Sequence, residues 1–534
     1  MPLPTPRPTT LQDAILLFAS DTPLAPIYGL EHEPGAQQRA LVLYVLRCVE
    51  QGGPQDVLFP GAAGTGKTTM LKLLLMVFSD CGISFAMGAP THKAAGRASE
   101  SLDGRWPVTT HHRWWCGSAE EAIEEGEEFS DDLHLGVADD RTMSERVLVI
   151  DEASMVSEQD LANIRTVAAH AIIVAVGDPH QLPPVKALPG FDWSNAEHGL
   201  TDVFRQPDGS SVLDAATAIR NQRVPYTWSK VANWKAGTAI LREAGVPSRW
   251  ITSQEAGFTL AQALRGTDGD AACVVGTHVS RVLVNDATRA CLGLPPREHG
   301  PAVGERLVAR STAGGIANAM SCTVISCTPQ DFGERFGAGW ILRVRTENGR
   351  TRETAILEQQ WRLVDSPANR GKIPYSVRQM LGRYADEDQG AHGVAIAARL
   401  APREEAHDGD VPSWRMDLWR AEAARDLGAW GIYLSKRLAA LDTGYAVTCH
   451  AAQGSQWRKV MVVADWVDFL AEDPRTGNVN PDHVYRWSYT ALTRAVESAL
   501  VVCKSRGGWV RPSPVTGVRI GSASRDWQAR RRSR

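Results

Sequence analysis

The sequence predicts an α/β fold in which parallel sheets carry helices on both faces. Short apolar strands alternate with helical stretches over the first 200 residues, and the same alternation returns between residues 445 and 502. A glycine-rich loop also joins the first predicted strand, Asp56–Phe59, to an apolar helix at Thr68–Phe78. At 534 residues, the chain is long enough for three or four domains.

Each element of the first α/β region follows from its local pattern. Residues 1–30 are rich in proline and threonine and predict a loosely ordered lead-in. Apolar residues then recur at helical spacing between Gln37 and Cys48. Three further strands follow, and the middle one is an apolar run bounded by charge, which is typical of a buried parallel strand. They are Ser84–Gly88, Arg146–Ile150 and Ala171–Val176.

The second half of the chain changes character twice. After a strand at Ala271–Val275, short β-rich runs alternate with glycine-rich turns and predict a small β-barrel within residues 304–364. Residues 366–440 are mixed, with a helical stretch near Trp414–Leu427. The runs of the barrel are Arg306–Ala309, Thr323–Ser326, Trp340–Val344 and Thr354–Leu357. The final α/β elements are strand Val460–Ala464, helix Tyr485–Ala495 and strand Ala499–Cys503.

Composition excludes several classes of protein. The net charge is −4, which excludes a protein coated in basic charge but leaves room for a local basic groove. No apolar run approaches the 18 residues of a membrane span, and the N-terminus has no signal-peptide core. The nine cysteines are scattered without CxxC pairs, so we expect reduced thiols in a cytoplasmic protein. The acidic stretch within residues 112–144 predicts a solvated insertion.

Residues 61–68 read Gly-Ala-Ala-Gly-Thr-Gly-Lys-Thr and fit the phosphate-binding pattern GxxxxGK[ST] in full. Glycines let backbone N–H groups approach phosphates, and the N-terminus of the following helix adds positive potential. Lys67 would reach the β- and γ-phosphates, and the Thr68 hydroxyl would be a Mg²⁺ ligand. The segment therefore predicts binding of a nucleoside triphosphate with Mg²⁺. The predicted contacts are Gly61, Gly64, Thr65, Gly66, Lys67, Thr68 and Thr69.

Two carboxylates follow the apolar strand that ends at Ile150. Asp151 would enter the Mg²⁺ shell, and Glu152 could orient and deprotonate the attacking water. A third segment, Gly177–Val185, places Gln181 where its amide could bond the γ-phosphate or the water; a proline-rich turn is the equal alternative. The pair of carboxylates favours hydrolysis over simple nucleotide binding.

In this order, the motifs resemble those of superfamily 1 helicases, specifically the RecD/Dda-like branch, which moves 5′→3′ on single-stranded DNA. The resemblance covers residues 30 to 505, and its last two segments are together highly specific. The matching segments are Gly61–Thr69, Ala89–Ala95, Thr109–His111, Val149–Met155, Gly177–Val185, Thr201–Gln206, Ala215–Pro225, Gly444–Ser455 and Ser488–Ala495.

The resemblance implies two tandem RecA-like P-loop motor domains with inserted subdomains, including an SH3-like β-barrel. Residues 1–200 would form motor domain 1, with a pin-type subdomain inserted at 112–144. Residues 201–300 and 436–515 would form motor domain 2, residues 301–435 the barrel and an accessory region, and residues 516–534 a basic tail. The sequence departs from the family in its acidic pin insertion, in which no wedge residue is identifiable, and in His278, where the family commonly has asparagine.

The resemblance also assigns roles to single residues. Gln37 would contact adenine, with its neighbour Gln38 as a close rival, and Gly454 would lie at the nucleotide. Arg205 and Arg494 would reach the γ-phosphate from the second motor domain, where guanidinium donors stabilise developing charge. The implied DNA contacts are Thr91, His92, Lys93, His111, Thr448 and His450. Trp114 and Trp115 are candidates for base stacking, with core packing equally open for each.

The implied activity is Mg²⁺-dependent ATP hydrolysis coupled to 5′→3′ movement on single-stranded DNA and to duplex unwinding. Implied partners are single-stranded DNA, duplex junctions and replication or recombination proteins, with a monomer as the default. A DNA-stimulated translocase or remodeller that unwinds poorly is one alternative, and pin substitutions would distinguish it. A nucleotide-switch scaffold is another, which the pair Asp151 and Glu152 argues against.

Overall fold

The computed structural model describes two α/β domains and an antiparallel sheet inserted into the second. It covers residues 6–116, 142–184, 187–201, 211–221, 248–310, 316, 319–333, 336–347, 349–358, 361, 434, 437–463 and 481–504. Most of the predicted pin at 112–144, most of the accessory region at 366–440 and the basic tail at 516–534 lie outside these residues.

The first domain is a five-stranded sheet in the order β1-β5-β4-β2-β3, with every pairing parallel. Side chains alternate between its two faces, so Val147 and Val149 enter one apolar cluster while Leu148 and Ile150 enter another. Its elements are α1 (Leu11–Ala19), α2 (Ala25–Tyr28), α3 (Ala36–Gln51), β1 (Gln55–Pro60), α4 (Lys67–Asp80), β2 (Phe85–Ala89), α5 (His92–Ser101), β3 (Val108–Thr110), α6 (Arg113–Cys116), β4 (Val147–Ile150), α7 (Glu158–Val167) and β5 (Ile172–Gly177).

The predicted loose lead-in is wrong for residues 11–28, which form α1 and α2. Thr10 caps α1 by accepting a hydrogen bond from the Asp13 N–H at 3.2 Å. Ala14, Ile15 and Phe18 then lie on one helical face and join the core beside α3. The signal that could have predicted α1 is the helical spacing of its apolar residues within a proline- and threonine-rich stretch.

The second domain repeats the parallel design with the strand order β13-β7-β14-β15-β6. Between its two parts the chain makes an antiparallel sheet in the order β11-β10-β9-β8-β12. These elements are α8 (Ser211–Arg220), β6 (Ser248–Ile251), α9 (Ser253–Gly266), β7 (Ala271–Val275), α10 (His278–Leu292), β8 (Arg306–Ala309), β9 (Ser321–Asp331), β10 (Ala338–Thr346), β11 (Thr351–Leu357), β12 (Leu441–Thr443), β13 (Ala446–Thr448), α11 (Cys449–Ala452), β14 (Trp457–Val463), α12 (Pro481–Leu492) and β15 (Ala495–Lys504).

The two parallel sheets confirm the tandem RecA-like arrangement. The inserted sheet runs from β8 to β12, whose Leu441–Thr443 pair with β8, and the parallel sheet of the second domain resumes at β13. The Ala439 N–H donates to the Ala355 carbonyl of β11 at 2.9 Å, which brings the segment before β12 back to the far edge of the sheet. An SH3-like barrel remains a prediction. Within the described ranges, no helix is long and apolar enough to cross a membrane.

Candidate functional site

The phosphate-binding loop lies between β1 and α4, at the carboxyl edge of the first sheet. Gly64 and Gly66 adopt φ values of 83° and 78°, a left-handed conformation that glycine adopts without strain. Lys67 begins α4, and its Nζ donates to the Gly61 and Ala62 carbonyls at 2.8 and 3.0 Å. The lysine is thus folded over its own loop, at the positive end of a helix 14 residues long.

The two predicted carboxylates follow β4 at the same edge. The Asp151 N–H donates to the Gly88 carbonyl at 3.0 Å, and the Asp151 Oδ1 accepts from the Glu152 N–H at 2.9 Å. Burial, reinforced by the negative charge of Glu152, raises the pKa of Asp151 to about 6, while the Lys67 ammonium opposes this shift. A nearby cation is what such a carboxyl needs in order to ionise fully.

Glu152 is held in an uncommon conformation. Its φ is 53°, a left-handed value that costs a non-glycine residue roughly 1–3 kcal/mol. Its Oε2 is buried without a hydrogen-bond partner among the described residues, and so is the Oε1 of Gln181. Strain and unsatisfied acceptors of this kind cluster at functional sites, where a ligand or water completes them.

A cavity of about 280 Å³ lies between the two α/β domains. Its first wall comes from the phosphate loop, the two carboxylates, Gln181 and α5, and its second from Gly454, Gln456 and Arg494. The structure brings these predicted residues together around it: Gly64, Thr65, Gly66, Lys67, Thr68, Thr69, Asp151, Glu152, Gln181, Gly454 and Arg494. Arg205 lies outside the described residues.

Arg494 is almost fully buried at the end of α12 and is anchored by its own domain. Its Nε donates to the Thr490 carbonyl at 3.0 Å, and one terminal nitrogen donates to the Ser455 carbonyl at 3.3 Å. Gly454 has φ 70° and approaches α5 so closely that a Cβ there would lie 3.2 Å from the Ala94 side chain. At Gly454, the second domain therefore packs directly against α5 of the first domain.

The donor set fits ATP with Mg²⁺. The cavity offers a lysine, two arginines and a helix N-terminus for phosphate charge. The Thr68 hydroxyl and the Asp151 carboxylate are the oxygen ligands that Mg²⁺ prefers. Gly61 lies behind the lining, where a Cβ would come within 3.0 Å of the Thr65 hydroxyl oxygen.

Gln37 and Gln38 make different contacts in the structure, and neither side chain lines the cavity. The Gln37 amide exchanges two hydrogen bonds with Thr201, at 2.6 and 2.8 Å. Gln38 is buried, accepts from the Gly35 N–H and donates to the Gly66 carbonyl at 3.0 Å. Gln38 supports the phosphate loop, while Gln37 ties α3 to the segment that leaves the first domain.

Four of the predicted DNA contacts occupy equivalent places in the two sheets. Thr91 and His92 open α5 after β2, and Thr448 and His450 lie at α11 after β13. Both short segments therefore sit at the carboxyl edges of parallel strands, where backbone N–H groups point outward. Their use as a DNA track remains a prediction.

Lys93 is enclosed where we expected a DNA contact. Its side chain is 10% exposed, its Nζ lies 3.9 Å from the Glu347 Oε2 of the inserted sheet, and it sits 5.5 Å from the centre of the Trp457 ring. Burial lowers the pKa of Lys93. In this arrangement the ammonium joins the three parts of the molecule instead of facing solvent.

His111 also differs from its predicted place on the DNA surface. Its ring is fully buried and stacks on His112, with ring centres 4.5 Å apart, so it cannot touch a DNA strand without local rearrangement. Trp114 and Trp115 pack in the core and are not placed to stack on bases, because both are buried in the cluster under β4. A Cβ on Gly88 would lie 2.6 Å from Trp114, which shows how tightly that ring is seated.

Sequence reasoning missed two side chains of the interdomain cleft. Arg97 of α5 lines the cavity and donates to the Gly454 carbonyl and the Gln456 Oε1, both at 2.9 Å. Tyr489 reaches from α12 to the phosphate loop, where its hydroxyl accepts from the Ala63 N–H at 3.2 Å. Arg97 follows the helicase-like segment Ala89–Ala95, and Tyr489 lies within Ser488–Ala495. Their position in or beside these segments was the signal that could have identified them.

Comparison with known families agrees with this geometry. Residues 35–241 match the family model of an AAA domain, and residues 443–502 match that of a UvrD-like helicase C-terminal domain. The RecD2 DNA helicase of Deinococcus radiodurans is 30% identical over 185 residues. The chain is similar to superfamily 1 helicases of the RecD/Dda-like branch.

The chain is also similar to helicases from other sources. The Dda helicase of Enterobacteria phage T4 is 29% identical over 181 residues, which cover 31% of this chain and 38% of that protein. The match with RecD2 covers 34% of this chain and 24% of RecD2, so the chain spans well under half of these curated relatives. A solved Bacteroides Pif1 helicase, in complex with ADP-AlF3 and single-stranded DNA, aligns over 93% of this chain and 97% of its own, with 17% identity and a TM-score of 0.44.

Proposed function

We propose that this chain is an ATP-dependent DNA helicase, which hydrolyses ATP to translocate 5′→3′ on single-stranded DNA and to unwind duplex DNA. The observation that carries the proposal is the cavity between the two α/β domains. Phosphate-binding and hydrolytic groups come from one wall, and Arg494 comes from the other. A site completed only by two domains links the state of the nucleotide to the distance between them.

The residues divide the proposed reaction among them. Lys67 leaves the loop carbonyls to hold the β- and γ-phosphates, and Glu152 takes the proton of the water that attacks the γ-phosphorus. The bond from that phosphorus to the β–γ bridging oxygen breaks, and Lys67 and Arg494 stabilise the charge that develops. Thr68 and Asp151 would hold Mg²⁺, which neutralises phosphate charge when bound.

Closure and opening of this cavity would move the two sheet edges that carry Thr91 and Thr448. Hydroxyl and backbone N–H groups at such edges can hold DNA phosphates without reading sequence. We therefore expect sequence-independent and salt-sensitive binding of single-stranded DNA. The 5′→3′ polarity rests on the resemblance to the RecD/Dda-like branch.

The test is ATP-dependent strand separation on two partial duplexes, one with a 5′ single-stranded tail and one with a 3′ tail. We expect only the 5′-tailed substrate to open. Lys67→Ala should abolish hydrolysis and unwinding while leaving most DNA binding, because the ammonium that holds the phosphates is lost. Lys72→Ala is the matched control, since Lys72 lies on the same helix in an exposed pair with Asp103.

Each other outcome has a defined meaning. DNA-stimulated ATP hydrolysis without opening of either substrate would identify a translocase or remodeller. Opening of only the 3′-tailed substrate would contradict the proposed polarity while leaving the ATP site intact. Full ATPase activity in the Lys67→Ala chain would overturn the site itself.

A further inference from the structure

A short segment of the first domain is held by the second. Residues 178–182 follow β5, yet Leu182 is fully buried within the apolar cluster of the second domain. The Leu182 N–H donates to the Thr490 hydroxyl oxygen at 3.0 Å, and its carbonyl accepts from the Gln453 side chain at 3.0 Å. Arg486 of α12 also donates to the Pro179 carbonyl. The segment therefore moves with α11 and α12 as long as these contacts persist.

Tyr489 connects this segment to the phosphate loop. Its hydroxyl donates to the Asp178 Oδ2 at 2.5 Å and accepts from the Ala63 N–H at 3.2 Å. Tyr489 and Asp178 are both buried, so neither group can exchange its partner for bulk water while the cleft is closed. A single hydroxyl thus joins α12, the loop that cradles phosphate and the segment after β5.

The same helix positions Arg494. The Arg494 Nε donates to the carbonyl of Thr490, the residue next to Tyr489. A displacement of Tyr489 relative to Ala63 therefore displaces the guanidinium relative to the phosphate loop. Charge stabilisation by such a group depends on donors placed about 3 Å from the developing charge, so small displacements are costly.

We infer that Tyr489 is a positioning residue, whose hydroxyl sets the register between the phosphate loop and α12, the helix that leads directly into Arg494. It does not contact the reacting atoms. Its effect is exerted through Arg494 and through the segment 178–182, so it should govern turnover more than nucleotide affinity. The inference rests on the proposed function, because it assumes ATP hydrolysis in this cavity.

The variant Tyr489→Phe keeps the ring and removes only the hydroxyl. We expect kcat of ATP hydrolysis with single-stranded DNA to fall roughly tenfold, the rate cost of about 1.4 kcal/mol of lost stabilisation. The affinity for a fluorescent ADP analogue should change less than about twofold, because phosphate-loop groups remain. Tyr445→Phe is the matched control, since that buried hydroxyl accepts from the Arg306 N–H, away from the cleft.

A second variant tests the same hydrogen bond from its acceptor side. Asp178→Asn retains a side-chain oxygen for the tyrosine hydroxyl, so its kcat should fall less than that of Tyr489→Phe. Combining both changes should give no further loss beyond Tyr489→Phe alone, because the two groups act through one hydrogen bond. Losses that multiply would overturn the inference.

The remaining outcomes separate the two claims. If the unchanged chain hydrolyses ATP and Tyr489→Phe matches Tyr445→Phe, the positioning role is wrong while the proposed function stands. If kcat and nucleotide affinity fall together, Tyr489 merely supports the loop and the inference is overturned. If the unchanged chain shows no DNA-stimulated hydrolysis, both claims fail.

Discussion

His111 illustrates how burial decides what a polar side chain can do. Its ring is fully enclosed after β3, and its Nε2 lies 3.7 Å from the Asp160 Oδ2. Burial, with help from the adjacent His112, lowers the pKa of His111 even though Asp160 favours the charged ring. Burial raises the pKa of the Asp160 carboxyl, but the contacts of this carboxyl with the two histidines outweigh burial and bring the pKa well below its usual range.

This arrangement predicts a loss of stability in mild acid. The unfolded chain takes up a proton on His111 near pH 6.5, whereas the folded chain resists it, so stability falls as the pH drops below that value. The loss approaches about 1.4 kcal/mol for each further pH unit. In His111→Gln, the decrease in Tm between pH 7.5 and 5.5 should be smaller. His32→Gln, at an exposed position, should keep the original slope.

The residues that sequence could place are those whose chemistry demands a fixed spacing. Lys67, Asp151 and Gln181 follow strands, and strands of one parallel sheet end at one edge, so their convergence was predictable. Lys93 carries the same kind of polar signal, but its surroundings come from Glu347 and Trp457, far along the chain. No local pattern reports such distant partners.

Among the elements, strands were predicted to within a few residues wherever they are continuously apolar. β7 and β8 agree with their predicted bounds, because a buried strand is a run of apolar residues that can be recognised in the sequence. β12 spans only three residues, Leu441–Thr443, and is defined by pairing with β8 across an insertion. A strand that short depends on its partner, so sequence alone could not assign it to the inserted sheet.

The segment 178–182 behaves as an element of the interface, and Leu182 is its apolar anchor. Leu182→Ala should weaken the docking of the two domains by about 2–5 kcal/mol, the usual cost of a large-to-small change at a buried site. We expect the first calorimetric unfolding transition to move down by several degrees and DNA stimulation of the ATPase to fall. Leu188→Ala, exposed nearby, should change neither.

At the scale of the whole molecule, Lys93 lies where the first domain, the inserted sheet and the second domain meet. Burial lowers the pKa of Lys93 and raises the pKa of Glu347, so each group depends on the other to remain charged. Lys93 is the buried partner of this pair, whereas Glu347 keeps about a third of its side chain exposed, so removal of Glu347 leaves a buried charge without its partner. The contact thus resists separation of the three parts.

Substitutions at this contact distinguish a joint from a DNA contact. If Lys93 held a DNA phosphate, Lys93→Ala would reduce the slope of log Kd for single-stranded DNA against log salt by about 0.7. The structure predicts an unchanged slope and a lower Tm for Lys93→Ala.

Glu347→Ala should lower the free energy of unfolding by about 1–3 kcal/mol, and by more than the double variant Lys93→Ala/Glu347→Ala, because only the single variant leaves the Lys93 ammonium without its partner. Lys72→Ala, which breaks an exposed pair with Asp103, should leave the Tm nearly unchanged. A reduced slope in Lys93→Ala with no effect in Glu347→Ala would mean that the ammonium leaves Glu347 to engage DNA, and that the inserted sheet parts from α5 as the strand binds.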